Sequence, residues 1–151
     1  MALGNMWVCR GDNVVVRMLV KAGAAASIKA GEPVIENTSG DVEYVKAAGA
    51  NITTSDTFVG IAASTSTDTA SADGYVDVAL PSANTVLKGL AKTKANLASS
   101  MRLTKVVIDY TSPNYTIDES TTTNGFCQIL DYNSDSGEVE FVVDLTEIVN
   151  A

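Results

Sequence analysis

The side chains that could carry chemistry in this chain are carboxylates and two thiols, because its 151 residues include no histidine. Without histidine, nucleophilic systems of the Ser-His-Asp and Cys-His types are excluded. Candidate carboxylate pairs for catalysis are Asp118 with Glu119 and Glu138 with Glu140. On a strand, adjacent residues point to opposite faces and alternate residues repeat along one face. We therefore expect these carboxylates to be structural, and we predict no catalytic residues and no enzymatic activity.

A second candidate for chemistry is an alternation of oxygen ligands near the C-terminus. Asp131, Asn133 and Asp135 have the spacing that opens an EF-hand calcium loop. In an EF-hand, glycine directly follows the third ligand and glutamate stands at the twelfth position, whereas here Ser136 and Val142 occupy those places. The three residues are more typical of a turn that closes a hairpin. No glycine pattern of a phosphate-binding loop is present, so we predict neither a metal nor a cofactor.

The charge balance narrows the classes of partner. The chain has 10 basic and 18 acidic residues, a net charge of -8, which disfavours binding to nucleic acid or to an anionic membrane surface. All ten bases lie in residues 1–105, and residues 106–151 hold nine acids and no base. Two interpretations stay open: a solvated acidic face that maintains solubility, or electrostatic attraction toward a basic partner surface.

The cysteine content and the hydropathy of the sequence indicate the cellular compartment of the protein. Cys9 and Cys127 are too far apart in sequence for a metal-binding spacing, and two cysteines do not make a disulfide framework, so we expect free thiols. No apolar run approaches the roughly 18 residues of a membrane span, and the N-terminal residues lack a basic region before an apolar stretch. We expect synthesis in a cytoplasm and no membrane partner.

The sequence predicts that these residues lie on short β-strands separated by turn-forming residues. Small and β-branched residues alternate or cluster between Gly, Pro, Asn and Asp, which is typical of half-buried strands. The sequence predicts an all-β fold with at most one or two short helices, a compact β-sandwich or a barrel-like domain. We place a single β-rich domain at residues 13–151 and an extended N-terminal arm at residues 1–12.

Individual segments give more specific predictions. Residues 13–20 should form a strand on the core, with one face made of Val14, Val16, Met18 and Val20. Residues 75–80 alternate cleanly, and Gly60 within the strand 58–63 indicates a bulge or a close backbone approach. Residues 84–101 combine strand and helix features, so we expect at least one helical turn there. The strongest prediction is a C-terminal hairpin whose strands flank the turn NSDSG.

The predicted arm contains Met6, Trp7 and Val8, and Trp7 is the only tryptophan of the chain. A tryptophan in a short terminal segment either folds back onto its own core or docks on a neighbouring molecule, since aromatic anchors are enriched in interfaces. We take Met6, Trp7 and Val8 as candidate binding residues.

Four segments together, in this order, resemble a known family. The AGEPV turn, the FVGIA strand, the GYVDVALP strand and the terminal hairpin GFCQILDYNSDSGEVEFVVDL are similar to the head decoration, or capsid cement, proteins of tailed bacteriophages. The likeness spans residues 13–145. It departs from the family pattern at Glu32, where Asp is usual, and at Cys127 and Gln128, where a Gly is frequent.

The resemblance implies a viral structural protein on the outer capsid surface of a virion. It would be a homotrimer, its partner would be the major capsid protein, and it would stabilise the shell by bridging neighbouring capsomers. Our assignment of Met6, Trp7 and Val8 to capsid binding is an inference from the residues and not a family motif. The alternative is a carbohydrate-binding or adhesin-type module that uses the loop 64–74 and Tyr75, although the chain is poor in the aromatic residues that stack on sugars.

Overall fold

Residues 6–23, 27–37, 40 and 42–145 are described by a computed structural model of the chain. They form an all-β fold with a six-stranded antiparallel sheet, a five-stranded closed barrel and two short 3₁₀ turns at Lys94–Asn96 and Ser99–Met101. The predicted all-β class is confirmed. The strands are β1 Trp7–Arg10, β2 Asn13–Val20, β3 Pro33–Glu36, β4 Tyr44–Ala47, β5 Phe58–Ala62, β6 Gly74–Pro81, β7 Val86–Leu90, β8 Lys105–Thr111, β9 Asn114–Asp118, β10 Cys127–Tyr132 and β11 Glu138–Val143.

The six-stranded sheet has the order β1-β7-β11-β10-β8-β9, with the C-terminal hairpin at its centre. Strands β10 and β11 pair from Cys127 opposite Val143 to Tyr132 opposite Val139, as the alternation predicts. The inward residues of β11 are buried and its glutamates are half-buried. The hairpin places the acidic C-terminal part of the chain against the basic residues of earlier strands.

The barrel has the order β2-β4-β3-β5-β6, and β6 closes it by pairing with β2 over eight residues. Gly60 in β5 makes the predicted close approach, because a Cβ atom at that position would lie 2.2 Å from the carbonyl oxygen of Ala79. Two hydrophobic clusters result. One fills the barrel, and the other lies on the sheet but also includes Ile35, Phe58 and Ile61 from barrel strands.

Two sequence predictions need correction or refinement. The face of β2 that was predicted to be buried is buried only at one end of the strand. Val20 is fully buried, whereas Val14 is 63% exposed. The reason is that β4 pairs with β2 only at Leu19 and Val20, so the barrel wall is open along the rest of β2. The helical turn expected in residues 84–101 takes the form of the two 3₁₀ turns, after a strand at Val86–Leu90.

The prediction of an N-terminal arm is wrong for the part of it that the structure describes. Residues 7–10 form β1, which pairs with β7, and the side chain of Met6 belongs to the core of the sheet. Residues 1–5 lie outside the described part of the chain. Within the described residues, no helix has the length and apolar character needed to span a bilayer.

Candidate docking surface

The three predicted binding residues lie on opposite faces of β1. Met6 is 1% exposed and Val8 packs against the same core cluster, while Trp7 faces the other side of the sheet and is half-buried. Met6 is fixed by its N–H, which donates to the carbonyl oxygen of Gly31 at 2.9 Å, and by the missing side chain of Gly89, where a Cβ would lie 3.2 Å from its Cγ. Met6 is therefore a core residue at the base of this surface, and its contact with a partner stays a prediction.

Trp7 lines an apolar groove of about 770 Å³ where the sheet meets the barrel. Its walls come from β1 on one side and from β2, β5 and β6 on the other. Most of its lining is apolar, with Glu138 as the charged residue at its margin. The apolar residues are Met6, Trp7, Val8, Val15, Ala30, Ile61, Ala62, Ala63 and Ala79. The groove therefore joins all three predicted binding residues, of which Met6 is nearly fully buried, to the outer surface of the barrel.

Beside this groove, the outer face of β2 and β6 is unusually apolar for an exposed surface. Val15 is 55% exposed, and Leu19 and Tyr75, which are opposite each other in the register, are each 45% exposed. Arg17 lies between Val15 and Leu19 on this face of β2. It forms a 3.0 Å ion pair with Asp77 and places its guanidinium 4.8 Å from the ring centre of Tyr75. The hydrogen bond to Asp77 raises the pKa of Arg17. We call Val15, Arg17, Leu19 and Tyr75 the outer β2 face.

Next to this face, one edge of the β2 backbone has no pairing partner among the described strands. On β6, the Tyr75 carbonyl accepts from Thr67 at 3.0 Å and the Asp77 carbonyl accepts from Ala63 at 2.7 Å, so these two residues bond away from β2. Because bonding direction alternates along an antiparallel ladder, β6 bonds to Val14, Val16 and Met18. The N–H and C=O groups of Val15 and Arg17 therefore point to the opposite side.

On the edge of β2 that faces away from β6, no described strand pairs with residues 13–18, because the parallel contact with β4 covers only Leu19 and Val20. A cleft of about 370 Å³ opens at the inner side of this part of β2. Its apolar lining includes Met18, Val59, Leu80 and Leu145, and it also contains carboxylates. The carboxylates are those of Glu36 and Glu43.

The acidic C-terminal part of the chain is largely paired with bases. Arg10 binds Glu140 at 3.0 Å, and Lys88 binds Glu138 at 3.2 Å. The hydrogen bond and charge of Arg10 lower the pKa of Glu140 against the opposing effect of burial. Six acids beyond residue 105 form such pairs: Asp109, Asp118, Asp131, Glu138, Glu140 and Asp144. These six acidic residues therefore pair with basic residues from earlier in the chain, and they do not form a single acidic end of the molecule.

The carboxylate pair Asp118 and Glu119 is buried and held by structural partners. Asp118 accepts from the hydroxyls of Ser120 and Thr121, each at 2.9 Å, and lies 3.5 Å from Lys92 Nζ. Burial opposes ionisation of Asp118, but these hydrogen bonds outweigh it and lower its pKa. Glu119 accepts from the backbone N–H of Thr93 at 3.3 Å and from the Asn96 side chain at 3.2 Å. Both carboxylates tie the connection after β7 to the end of β9.

The alternating residues at the terminal hairpin act as a turn. Asn133 Oδ1 accepts from the N–H groups of Asp135 at 2.9 Å and Ser136 at 3.2 Å, as expected of an Asx turn. In the part of the chain that is described, no three His, Cys, Asp or Glu residues are grouped to hold a metal ion. Cys9 and Cys127 are free thiols, and burial raises the pKa of Cys127 well above its ordinary value.

The loop 64–74 uses its polar side chains internally. Ser66 Oγ accepts from the Ile28 N–H at 2.9 Å and donates to Asp68 at 2.6 Å, and Thr67 Oγ1 accepts from the Tyr75 N–H at 3.0 Å. Tyr75 stacks with Arg17 of the same chain. The carbohydrate-binding alternative stays a prediction, and no contact in this loop adds support to it.

Sequence reasoning missed the outer β2 face and the edge beside it. A signal was present: in NVVVRMLV the apolar residues fall on both faces of the strand, which is unexpected for a strand with one solvated face. The pairing partners of β2 were not readable, because its neighbours β4 and β6 lie far away in sequence.

Comparisons with known protein families, with curated proteins and with solved structures find no match to this chain. The family resemblance described above therefore rests on the sequence motifs alone.

Proposed function

We propose that this protein is a capsid decoration protein of a tailed bacteriophage, which binds the outer surface of an assembled shell and bridges neighbouring capsomers as a homotrimer. The observation that carries the proposal from the structure is the apolar groove beside Trp7, continuous with the exposed outer β2 face. A contiguous exposed apolar surface is typical of an interaction site. The sequence resemblance supplies the class of partner.

The physical role follows from multivalency. Three copies that each hold a different shell subunit gain affinity because, once one copy is bound, the others act at a high effective concentration. Trp7 is suited to the central contact, since large aromatic side chains in partly enclosed grooves account for much of the binding energy at interfaces. The stiffness of β1, which is paired to β7, presents Trp7 in a fixed orientation.

The proposal is tested by replacing Trp7 with Ala and measuring co-sedimentation with shells assembled from the major capsid protein of the source virus. We expect the affinity to fall by about tenfold to a hundredfold, because a buried anchor contributes about 2 kcal/mol or more. The matched control is Leu103→Ala, which removes a side chain that is 66% exposed and lies outside the groove. Equal binding of wild type and Trp7→Ala, with both folded by circular dichroism, would overturn the role of Trp7.

A further inference from the structure

The edge of β2 that no described strand covers has the features of a site for strand addition. The N–H and C=O groups of Val15 and Arg17 point away from β6, and no described strand meets residues 13–18 on that side. A row of unpaired backbone donors and acceptors is a template for an extended peptide. Natural edges are usually shortened, covered or charged; here the charge of Arg17 is paired with Asp77, and Val14 and Val15 are 63% and 55% exposed.

The two faces beside this edge differ in chemistry. The difference indicates which side chains an added strand would need on each face. Toward the outer β2 face, an added strand would lie beside Val15 and Leu19, so its side chains on that face are apolar. On the other face it would lie over the cleft that contains Met18 and Leu80 together with Glu36 and Glu43. The exposed carboxylate of Glu43 in the cleft favours Lys or Arg in the occupant and opposes Asp or Glu.

We propose that the edge Asn13–Met18 of β2 receives an extended segment of the capsid subunit as an added strand, with apolar residues toward Val15 and Leu19 and a Lys or Arg toward Glu43. The inference rests on the proposed function for the identity of the partner, and it adds the place and the mode of contact. The strand bonds to the backbone of Val15 and Arg17, so affinity comes from main-chain hydrogen bonds and specificity from the side chains that alternate between the two faces. The added strand extends the barrel wall where β4 leaves it open.

The test is a proline at the edge. Val15→Pro removes one of the two N–H groups that point to the occupant and leaves the bonds of Val14 and Val16 to β6 in place; proline is tolerated on an edge whose N–H faces solvent. We expect about a tenfold or greater loss of affinity for expanded shells, while Leu103→Ala, outside the groove and the β2 edge, stays within about threefold. The second measurement is amide hydrogen exchange of the wild type, in which shells should slow exchange at Val15 and Arg17.

The outcomes separate this inference from the proposed function. If the wild type does not bind shells, both fall. A second outcome is that the wild type binds shells, Val15→Pro leaves the affinity unchanged, and shells leave amide exchange at Val15 and Arg17 unchanged. In that case the proposed function stands and the added strand is overturned. If the amides of Val15 and Arg17 are already protected in the free protein and Val15→Pro lowers the oligomeric state, the occupant is a second copy and the assignment to the capsid subunit is overturned.

Discussion

At the scale of single residues, Asp118 shows how a buried carboxylate is used for structure in this protein. Its ionised form accepts hydrogen bonds from Ser120 and Thr121 and lies near Lys92. These interactions hold its pKa below the ordinary value although burial acts in the opposite direction. A group whose pKa is lower in the folded state stabilises the protein above its unfolded pKa, and that contribution is lost as the pH falls through the folded value.

We therefore expect Asp118→Asn to lower the free energy of unfolding at neutral pH by about 1–3 kcal/mol, because it removes charge-assisted hydrogen bonds. The difference from wild type should begin to shrink as the pH falls below about 4, the ordinary pKa of an aspartate in the unfolded chain, and should be lost as the pH falls through the lower pKa of folded Asp118. Chemical denaturation across this pH range measures it, with Asp135→Asn in the exposed hairpin turn as the control. A difference that does not change with pH would show that ionised Asp118 is not the source of the stability.

Residue types alone predicted part of this picture. The Asx residues around Asn133 were sufficient to expect a turn at that place, and the hydrogen bonds of Asn133 confirm it. The partners of Asp118 and Glu119 were not predictable, because Lys92, Thr93 and Asn96 approach them only through the pairing of distant strands.

At the scale of elements, β1 is the clearest difference between sequence and structure. Four residues bracketed by glycines give no periodic signal, so the segment looked like an arm, yet it pairs with β7 and places Met6 in the core. The terminal hairpin was predictable for the opposite reason: two long alternating segments flank a turn of five polar and small residues. The shortness of the contact between β2 and β4 depends on the whole barrel, and no local pattern encodes it.

The assignment of Met6 to the core leads to a stability prediction. Met6→Ala should lower the free energy of unfolding by about 2–5 kcal/mol, because it leaves a cavity beside Gly89 in a well-packed cluster. Urea denaturation measures this change, and Leu103→Ala, at an exposed position, should cost much less. Equal and small effects of both substitutions would mean that β1 separates from the sheet in solution, as an arm would.

At the scale of the whole molecule, the charge distribution and the apolar surface have different roles. The net charge of -8 is spread over a fold in which six late acids pair with earlier bases, so these pairs help to bring distant segments together while each exposed pair adds little stability. The groove beside Trp7 and the outer β2 face lie where the sheet and the barrel meet. This surface, and not a cluster of reactive groups, is the feature on which our functional proposal depends.

The most direct measurement of the central proposal is quantitative co-sedimentation of the wild-type protein with expanded and unexpanded shells of the source virus. The proposal predicts saturable binding to expanded shells at a fixed ratio to the coat protein, together with greater resistance of those shells to heat. Absence of saturable binding to either form would contradict the decoration role and would direct attention to the carbohydrate-binding alternative.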